Sequence, residues 1–239
     1  MIEKHLAKLR ARDEVSAEEE QVLRALVSEV REIPAKTTFI RAGQRLTTST
    51  LLLEGLMCRY KDLSDGQRQI SELHVAGDFV DLHSFTLKRL DHNLMALSAC
   101  KIAVVPHERL LALSHEHPHL TRLYWFTTNM DAAVHREWEL SLGRRSAIAR
   151  IAHLLAEMHV RLGLVGLTHG LEFRLPLTQV DLAECVGLTP VHVNRTLKLL
   201  REEGAVDMQR GRVRILDLAR LHAIAEFNPQ YLYLESEPR

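Results

Sequence analysis

The side chains whose types and spacing point most directly to chemistry lie in the run T-Q-V-D-L-A-E-C-V-G-L-T-P-V-H-V-N-R-T-L-K-L-L-R, from Thr178 to Arg201. Here His192, Asn194, Arg195 and Lys198 form a polar and basic set, with no carboxylate between Leu188 and Arg201. Such a set offers hydrogen bonding, not bond making. An Asn amide pairs bidentately with adenine, and an Arg guanidinium pairs with guanine or with phosphate. No nucleophile elbow, phosphate-binding Gly loop or compact His-x-His plus Glu plus His constellation accompanies it, so no catalytic residue is assigned. Fourteen histidines invite a metal reading. His115, His117 and His119 alternate around Pro118, but they lack the Cys or carboxylate spacing of a metal site. Solvated or core histidines are expected, and no metal is assigned.

A helix, a tight turn and a second helix must position that set. Thr178 can cap the first helix, with Gln179 at its start and Asp181 at N3, where the helix dipole favours an acid. Leu182 and Val186 share one face, and Ala183 is small where a second helix must pass. Gly187 suits the left-handed turn, and Leu188 plugs the gap. Thr189 caps the second helix, with Pro190 at N1, where its missing N–H costs nothing. Val193, Leu197 and Leu200 keep a 3–4 step and should face the core. An ordinary helical hairpin with a solvated basic face has the same pattern. The residues that follow separate the two readings. Ala205–Met208 and Val213–Ile215 flank Gln209-Arg210-Gly211-Arg212, two short strands around a basic turn. Helix-turn-helix plus hairpin is a winged helix, and Arg210 and Arg212 could reach phosphates.

Length and composition set the frame. At 239 residues, one large or two modest domains are expected. Net charge is zero, so any charge for nucleic acid must be local. Three cysteines, widely spaced, suggest a reducing compartment. The segment Met1–Arg12 lacks the apolar core of a secretory signal. No run approaches the ~18 apolar residues of a membrane span. A soluble cytoplasmic protein with no membrane partner is expected.

The rest of the chain reads in three textures. A helix is expected over Ser16–Val30, with Ser16 and Glu19 as a capping box and Val22, Leu23, Leu26, Val27 and Val30 as its apolar face. From Ile33 to Val105 short strands alternate with Gly and Asp turns: Thr38–Ile40, Leu51–Leu53, Leu56–Tyr60, Gln69–His74, Leu94–Cys100 and Ile102–Val105. That spacing argues for a β-sandwich or roll. Helices follow over Pro106–Ser114 and from Pro118 to about Leu142. In the long one Leu120, Leu123, Thr127, Met130, Val134 and Trp138 keep a 3–4 step, read as a dimerisation seam. Gly143-Arg144-Arg145 is the expected hinge, Ser146–Leu162 a helix, Gly163–Gly170 a loop and Leu216–Phe227 the last helix. The fold class is α+β: an N-terminal helix and jelly-roll-like β-roll sensor over 1–117, a dimerisation helix and hinge over 118–143, and a winged helix-turn-helix with tail over 144–239.

These pieces in this order resemble the Crp/Fnr family of bacterial transcription regulators. The resemblance covers nearly the whole chain. It rests on L-L-E-G at Leu52–Gly55, D-G-Q-R-Q-I at Asp65–Ile70, the Gly77-Asp78-Phe79 turn and the motif ending in Arg195. A branch common in α-proteobacteria, with T-P-V-H-V-N-R and a tail like E-F-N-P-Q-Y-L, looks closest. The resemblance implies a homodimer on a palindromic double-stranded operator, RNA polymerase as a partner, and a cyclic-nucleotide-binding-like roll. It puts Thr178 and Gln179 near phosphate, Thr189 on the backbone and Arg195 on a base or phosphate. Val191 stands where many members carry a base-reading Glu, so His192 and Asn194 become candidates for that task. The Arg-Ser pair of cyclic AMP binders is missing, and Asp81 and Asp91 would repel a phosphate, so tight cyclic-nucleotide binding is not expected. Asp81, His83 and His92 are the candidate effector-pocket residues. Members with an iron–sulfur cluster share an N-terminal cysteine group. No cysteine precedes Cys58 here, and a cluster wants about four thiolates, so that cofactor is not expected. Haem ligation by His74, His83 or His92 has no spacing to support it. The competing readings are a cupin-like β-roll metal enzyme and a ligand sensor module without DNA binding.

Overall fold

The computed structural model describes residues 1–238. They form two compact units, the first made of residues 1–61, 73–133 and 233–238, the second of 62–72 and 134–232.

The first unit contains helices α1 (Glu3–Arg10) and α2 (Ala17–Ala25), strands β1 (Glu29–Ile33), β2 (Thr37–Ile40), β3 (Thr48–Glu54) and β4 (Leu56–Asp62), the end of β5 (Arg68–Val75), whose first five residues belong to the second unit, and a short α3 (Ser84–Leu87). Then come β6 (Asn93–Ala96), β7 (Cys100–Pro106), α4 (His107–Glu116) and α5 (Pro118–Arg144), the last running on into the second unit. The roll has a three-stranded sheet, β1-β7-β3, and a four-stranded sheet, β2-β6-β4-β5. The apolar runs of β3 and β7 are explained by burial on both faces. Leu51, Leu53, Ala103 and Val105 join a cluster with helical residues such as Leu6, Leu23, Leu113 and Leu120. Leu52, Ile102 and Val104 point the other way, into the cluster with Met57, Leu94 and Ala96 of the second sheet. Period-2 alternation therefore serves two cores at once.

The sequence gives no warning that Met1–Arg12 is part of the core. Ile2, His5, Leu6 and Leu9 of α1 are buried. The helix lies against the Gly77-Asp78 turn so closely that a Cβ at Gly77 would sit 2.7 Å from the Lys4 carbonyl oxygen. Lys8 pairs with Asp78. His5 Nδ1–H donates to the Gly77 carbonyl at 2.9 Å, which leaves Nε2 to accept from the Tyr124 hydroxyl at 3.4 Å. Burial pushes the His5 imidazole down to about 4, against the pull of the Gly77 bond.

Three expectations need correction here. The helix from Ser16 keeps its capping box but ends at Ala25, because the chain turns to pair Val30 with Ala103 as an edge strand. The expected strand Leu94–Cys100 ends at Ala96, and Cys100 opens the next. The stripe read as a dimer seam is internal. Leu120 and Leu123 lie in the roll-side cluster, Val134 and Trp138 are buried, and half-buried Thr127 and Met130 flank a small void with Leu9 and Arg12. A 3–4 step identifies a buried face without saying what buries it. The exposed positions of α5 are Pro118, Arg122, Trp125, Asn129, Ala132, Arg136, Glu139, Leu140, Gly143 and Arg144.

The second unit contains α6 (Ala147–Gly163), β8 (Thr168–His169), β9 (Glu172–Arg174), α7 (Gln179–Val186), α8 (Pro190–Glu202), β10 (Val206–Gln209), β11 (Arg212–Ile215), α9 (Leu218–Ala225) and a 3₁₀ turn at Pro229–Leu232. Its strands form one antiparallel sheet, β10-β11-β9-β8. Thr168–His169, expected as loop, is thus a strand. At the centre of α6 Glu157 is fully buried. Trp138 Nε1 donates to it at 3.1 Å, Arg161 at 2.9 Å and the Tyr231 hydroxyl at 2.8 Å. Tyr231 also stacks on His153, and Phe227 meets that ring edge-on. Phe227, Tyr231 and Leu232 of the tail motif E-F-N-P-Q-Y-L are therefore packed into the unit, while Glu226, Asn228, Pro229 and Gln230 stay exposed.

Two stability measurements follow. Between pH 6.5 and about 4 the unfolded chain takes up a proton at His5 that the folded chain refuses, so stability falls with pH in that window. His5→Gln should remove about 3 kcal/mol of that fall, read from denaturant melts at pH 7 and pH 4. Glu157→Ala strands Arg161 in the core and should cost about 3–5 kcal/mol, with Tyr231→Phe costing about 1–2 kcal/mol. Equal melting of wild type and Glu157→Ala would refute the central role of the carboxylate.

Candidate nucleic-acid interface

Capping fixes the start of α7. Thr178 accepts from the Asp181 N–H at 3.1 Å, and the Asp181 carboxylate accepts from the Thr178 N–H at 2.7 Å. The reciprocal pair satisfies two end groups and buries Asp181. Gly187 ends the helix with φ +63°, and a side chain there would press on Leu142. Open carbonyls at this helix end are held by side chains. Arg150 donates to the Val186 carbonyl at 3.2 Å, and Gln69 donates to those of Glu184 and Cys185. The Gln69 and Arg150 contacts leave no trace in spacing, and sequence reasoning missed both.

Thr189 then caps α8, accepting from the His192 N–H at 3.2 Å, with Pro190 in the first turn. Val193, Thr196 and Leu200 are buried, and Leu197 is half-buried. His192, Asn194, Arg195 and Lys198 are all exposed. Val191, at 71% exposure, is the most open large apolar side chain of the chain's described residues. Lys198 lies 3.6 Å from Glu202 one turn on, a surface pair that leaves its ammonium in solvent.

The wing places more charge than the sequence pattern indicates. Arg210 and Gly211 both have positive φ, 49° and 75°, the two-residue turn whose twist suits a tight hairpin. Arg212 sits directly opposite Arg174 of β9, so both guanidinium groups stand on one face of the sheet. Arg174 was missed because its strand, Glu172–Arg174, lies in a stretch to which the sequence reading assigned no element. Like charges set opposite each other cost stability unless an anion lies between them. A groove of about 440 Å³ runs between the start of α7, α8 and the wing, lined by Thr178, Gln179, Leu197, Met208 and Arg210. Thr178, Gln179 and Arg210 thus meet at one groove, while the exposed residues of α8 stand on its neighbouring helix.

Of the three proposed effector residues, His83 and His92 bring their rings together, with centroids 5.3 Å apart, while Asp81 lies beneath the surface. Asp81 is fully buried and accepts from the Thr50 N–H and hydroxyl. Burial raises its carboxyl to about 7, so it is not a surface charge facing a phosphate. His92 lies 3.0 Å from Asp91, whose other oxygen binds Lys61 at 2.6 Å. His83 also lines a cavity of about 370 Å³. Among the described residues no group of three or more His, Cys, Asp or Glu is placed to hold a metal ion. No helix among them is long and apolar enough to cross a membrane.

Comparison with known proteins agrees with this geometry. Residues 30–117 match the model of the cyclic nucleotide-binding domain, and residues 149–224 match that of the Crp-like helix-turn-helix domain. The chain is 33% identical to the nitrogen fixation regulation protein FixK of Bradyrhizobium diazoefficiens, covering 75% of each. It is 31% identical to the transcriptional activator protein FnrL of Cereibacter sphaeroides, covering 80% of this chain and 78% of that one. The solved structure of FixK2 from Bradyrhizobium japonicum superposes with a TM-score of 0.76 at 24% identity, over 83% of this chain and 98% of that one. The chain belongs to the Crp/Fnr family of DNA-binding transcription regulators.

Proposed function

We propose that the protein is a cytoplasmic homodimer that reads a palindromic operator and acts on RNA polymerase. The observation that carries this is the exposed polar and basic face of α8 beside the Arg174–Arg212 pair of the wing. In this reading α8 enters the major groove, as second helices of this motif do. Arg195 contacts a base or phosphate, and His192 and Asn194 read base edges. Val191 cannot accept from cytosine and suits a thymine methyl instead. Thr178, Gln179, Thr189, Lys198, Arg210 and Arg212 hold the backbone, with Arg174 added to them. Pro190 sets the helix start.

The branch is the one with T-P-V-H-V-N-R at Thr189–Arg195 and the Glu226–Leu232 tail. The working division is a sensor over 1–117, a dimerisation helix and hinge over 118–143, and a DNA-binding domain over 144–239. The seam moves to the exposed line of α5, Arg122, Trp125, Asn129, Ala132, Arg136 and Leu140, which also keeps a 3–4 step. The roll takes no cyclic nucleotide tightly, no iron–sulfur cluster is assigned, and neither enzyme chemistry nor a DNA-free sensor role is favoured.

Selection from random duplexes at one stated salt concentration should return a palindrome with half-site centres about one helical turn apart. Arg195→Ala should then lose about 1–3 kcal/mol on that site if Arg195 reads a base, with little change on random DNA. Arg174→Ala should weaken both equally and lower the salt slope by about 1. An unchanged specific-to-random ratio for Arg195→Ala refutes base reading. On the seam, Trp125→Asp should halve the mass seen in sedimentation, while Thr127→Asp should instead perturb folding.

A further inference from the structure

We propose that His119 is a proton-operated clamp: its charged ring ties the joint between α1 and α2 to the first turn of α5, and loss of the proton as pH rises releases the joint. The geometry is a ring set between two carboxylates. His119 Nδ1 lies 2.5 Å from Glu19 Oε1, and Nε2 lies 3.3 Å from Asp13 Oδ2. Glu19 is in the first turn of α2, and Asp13 stands in the joint behind α1. Each carboxylate is also held by its other oxygen. That of Glu19 accepts from the Ser16 N–H at 2.9 Å, and that of Asp13 from the Glu14 N–H at 2.8 Å.

A neutral imidazole carries one N–H. It donates to one of these oxygens and turns a lone pair on the other. Asp13 is buried, where water screens such a clash least. Only the charged ring donates to both, so the observed geometry is that of the imidazolium. The carboxylates achieve this against the dipole of α5, of which His119 is the second residue. The Glu19 bond keeps the ring's titration above the usual histidine range, against the lowering by partial burial, and the Asp13 bond adds to it. Of the other charged groups on these elements, Glu20 is bound by Arg10 and Arg24, and the Arg12 guanidinium donates to the Lys8 carbonyl. Glu14, Glu18, His115, Glu116 and Arg122 stand exposed, and His117 is half-buried. Below pH 6.5 the folded and unfolded chains both carry the proton, and the clamp is closed. Its contribution is lost as pH rises through the higher titration point of the folded chain. The clamp shares no side chain with α8 or the wing, so it and the DNA-reading proposal fail separately.

The test pairs two measurements on the full-length protein from pH 6 to pH 9. NMR follows the assigned His119 ring, which should titrate above 6.5. Trypsin follows the joint, where Arg10 and Arg12 offer cleavage, with His119→Gln at each pH as the permanently neutral reference. Wild type should be the more resistant at pH 6, tenfold for each pH unit by which the ring titrates above 6.5, and the two should converge by pH 9. If His119→Gln fails a melting control, the methyl signals of Val15, which pack the joint on the core of the unit, should shift with the ring's own titration point. A ring that titrates at or below 6.5 overturns the proposal. So does a resistance ratio, or a Val15 signal, that stays constant with pH, which would mean a joint held by shape and not by charge.

Discussion

The DNA-binding unit is organised around one electrostatic requirement: a carboxylate on the middle of α6 that has no access to water. Glu157 can remain there only if donors replace its hydration. Those donors come from three places far apart in sequence, Trp138 on the long helix, Arg161 one turn on and Tyr231 in the tail. Satisfying it fixes the end of α5 and holds the Phe227–Tyr231 segment against α6. The recognition helix packs on the same α6, so the platform that carries α8 is set by an interaction that never meets DNA.

In the first unit the corresponding constraint is steric. A sheet with two buried faces needs helices over the one the second sheet leaves open. α1 supplies part of that cover, and it can approach only because position 77 has no side chain. His5 is neutral in this setting because its ring is dry, which outweighs the opposing pull of its bond to the Gly77 carbonyl. The same packing explains why the regular stripe on α5 turns inward: the N-terminal helix and the roll use it first.

What could be read from the sequence follows the range of the interactions involved. Thr178 with Asp181, Gly187, and Thr189 with Pro190 are local signals within a few residues, and they mark α7 and α8 to within a residue. Turn residues and alternation likewise give the roll and the wing hairpin. Val30 was misplaced because a helical face and an edge strand share the same apolar residue, and only pairing with Ala103 decides between them. Arg174 was overlooked because a three-residue strand has no periodicity of its own. The orientation of α5 was inverted because burial is a property of neighbours. Asp81 was read as a surface charge because its burial and its bonds to Thr50, on a different strand, leave no trace in local spacing.

The opposed arginines of the wing carry a further consequence. Two guanidinium groups held side by side on one face of a small sheet are electrostatically frustrated in the free protein, and a polyanion relieves that frustration. Added salt screens the repulsion within the free hairpin and also weakens attraction to a phosphate backbone. Ionic strength therefore pulls the wing in two directions, steadying it when empty and loosening it when bound.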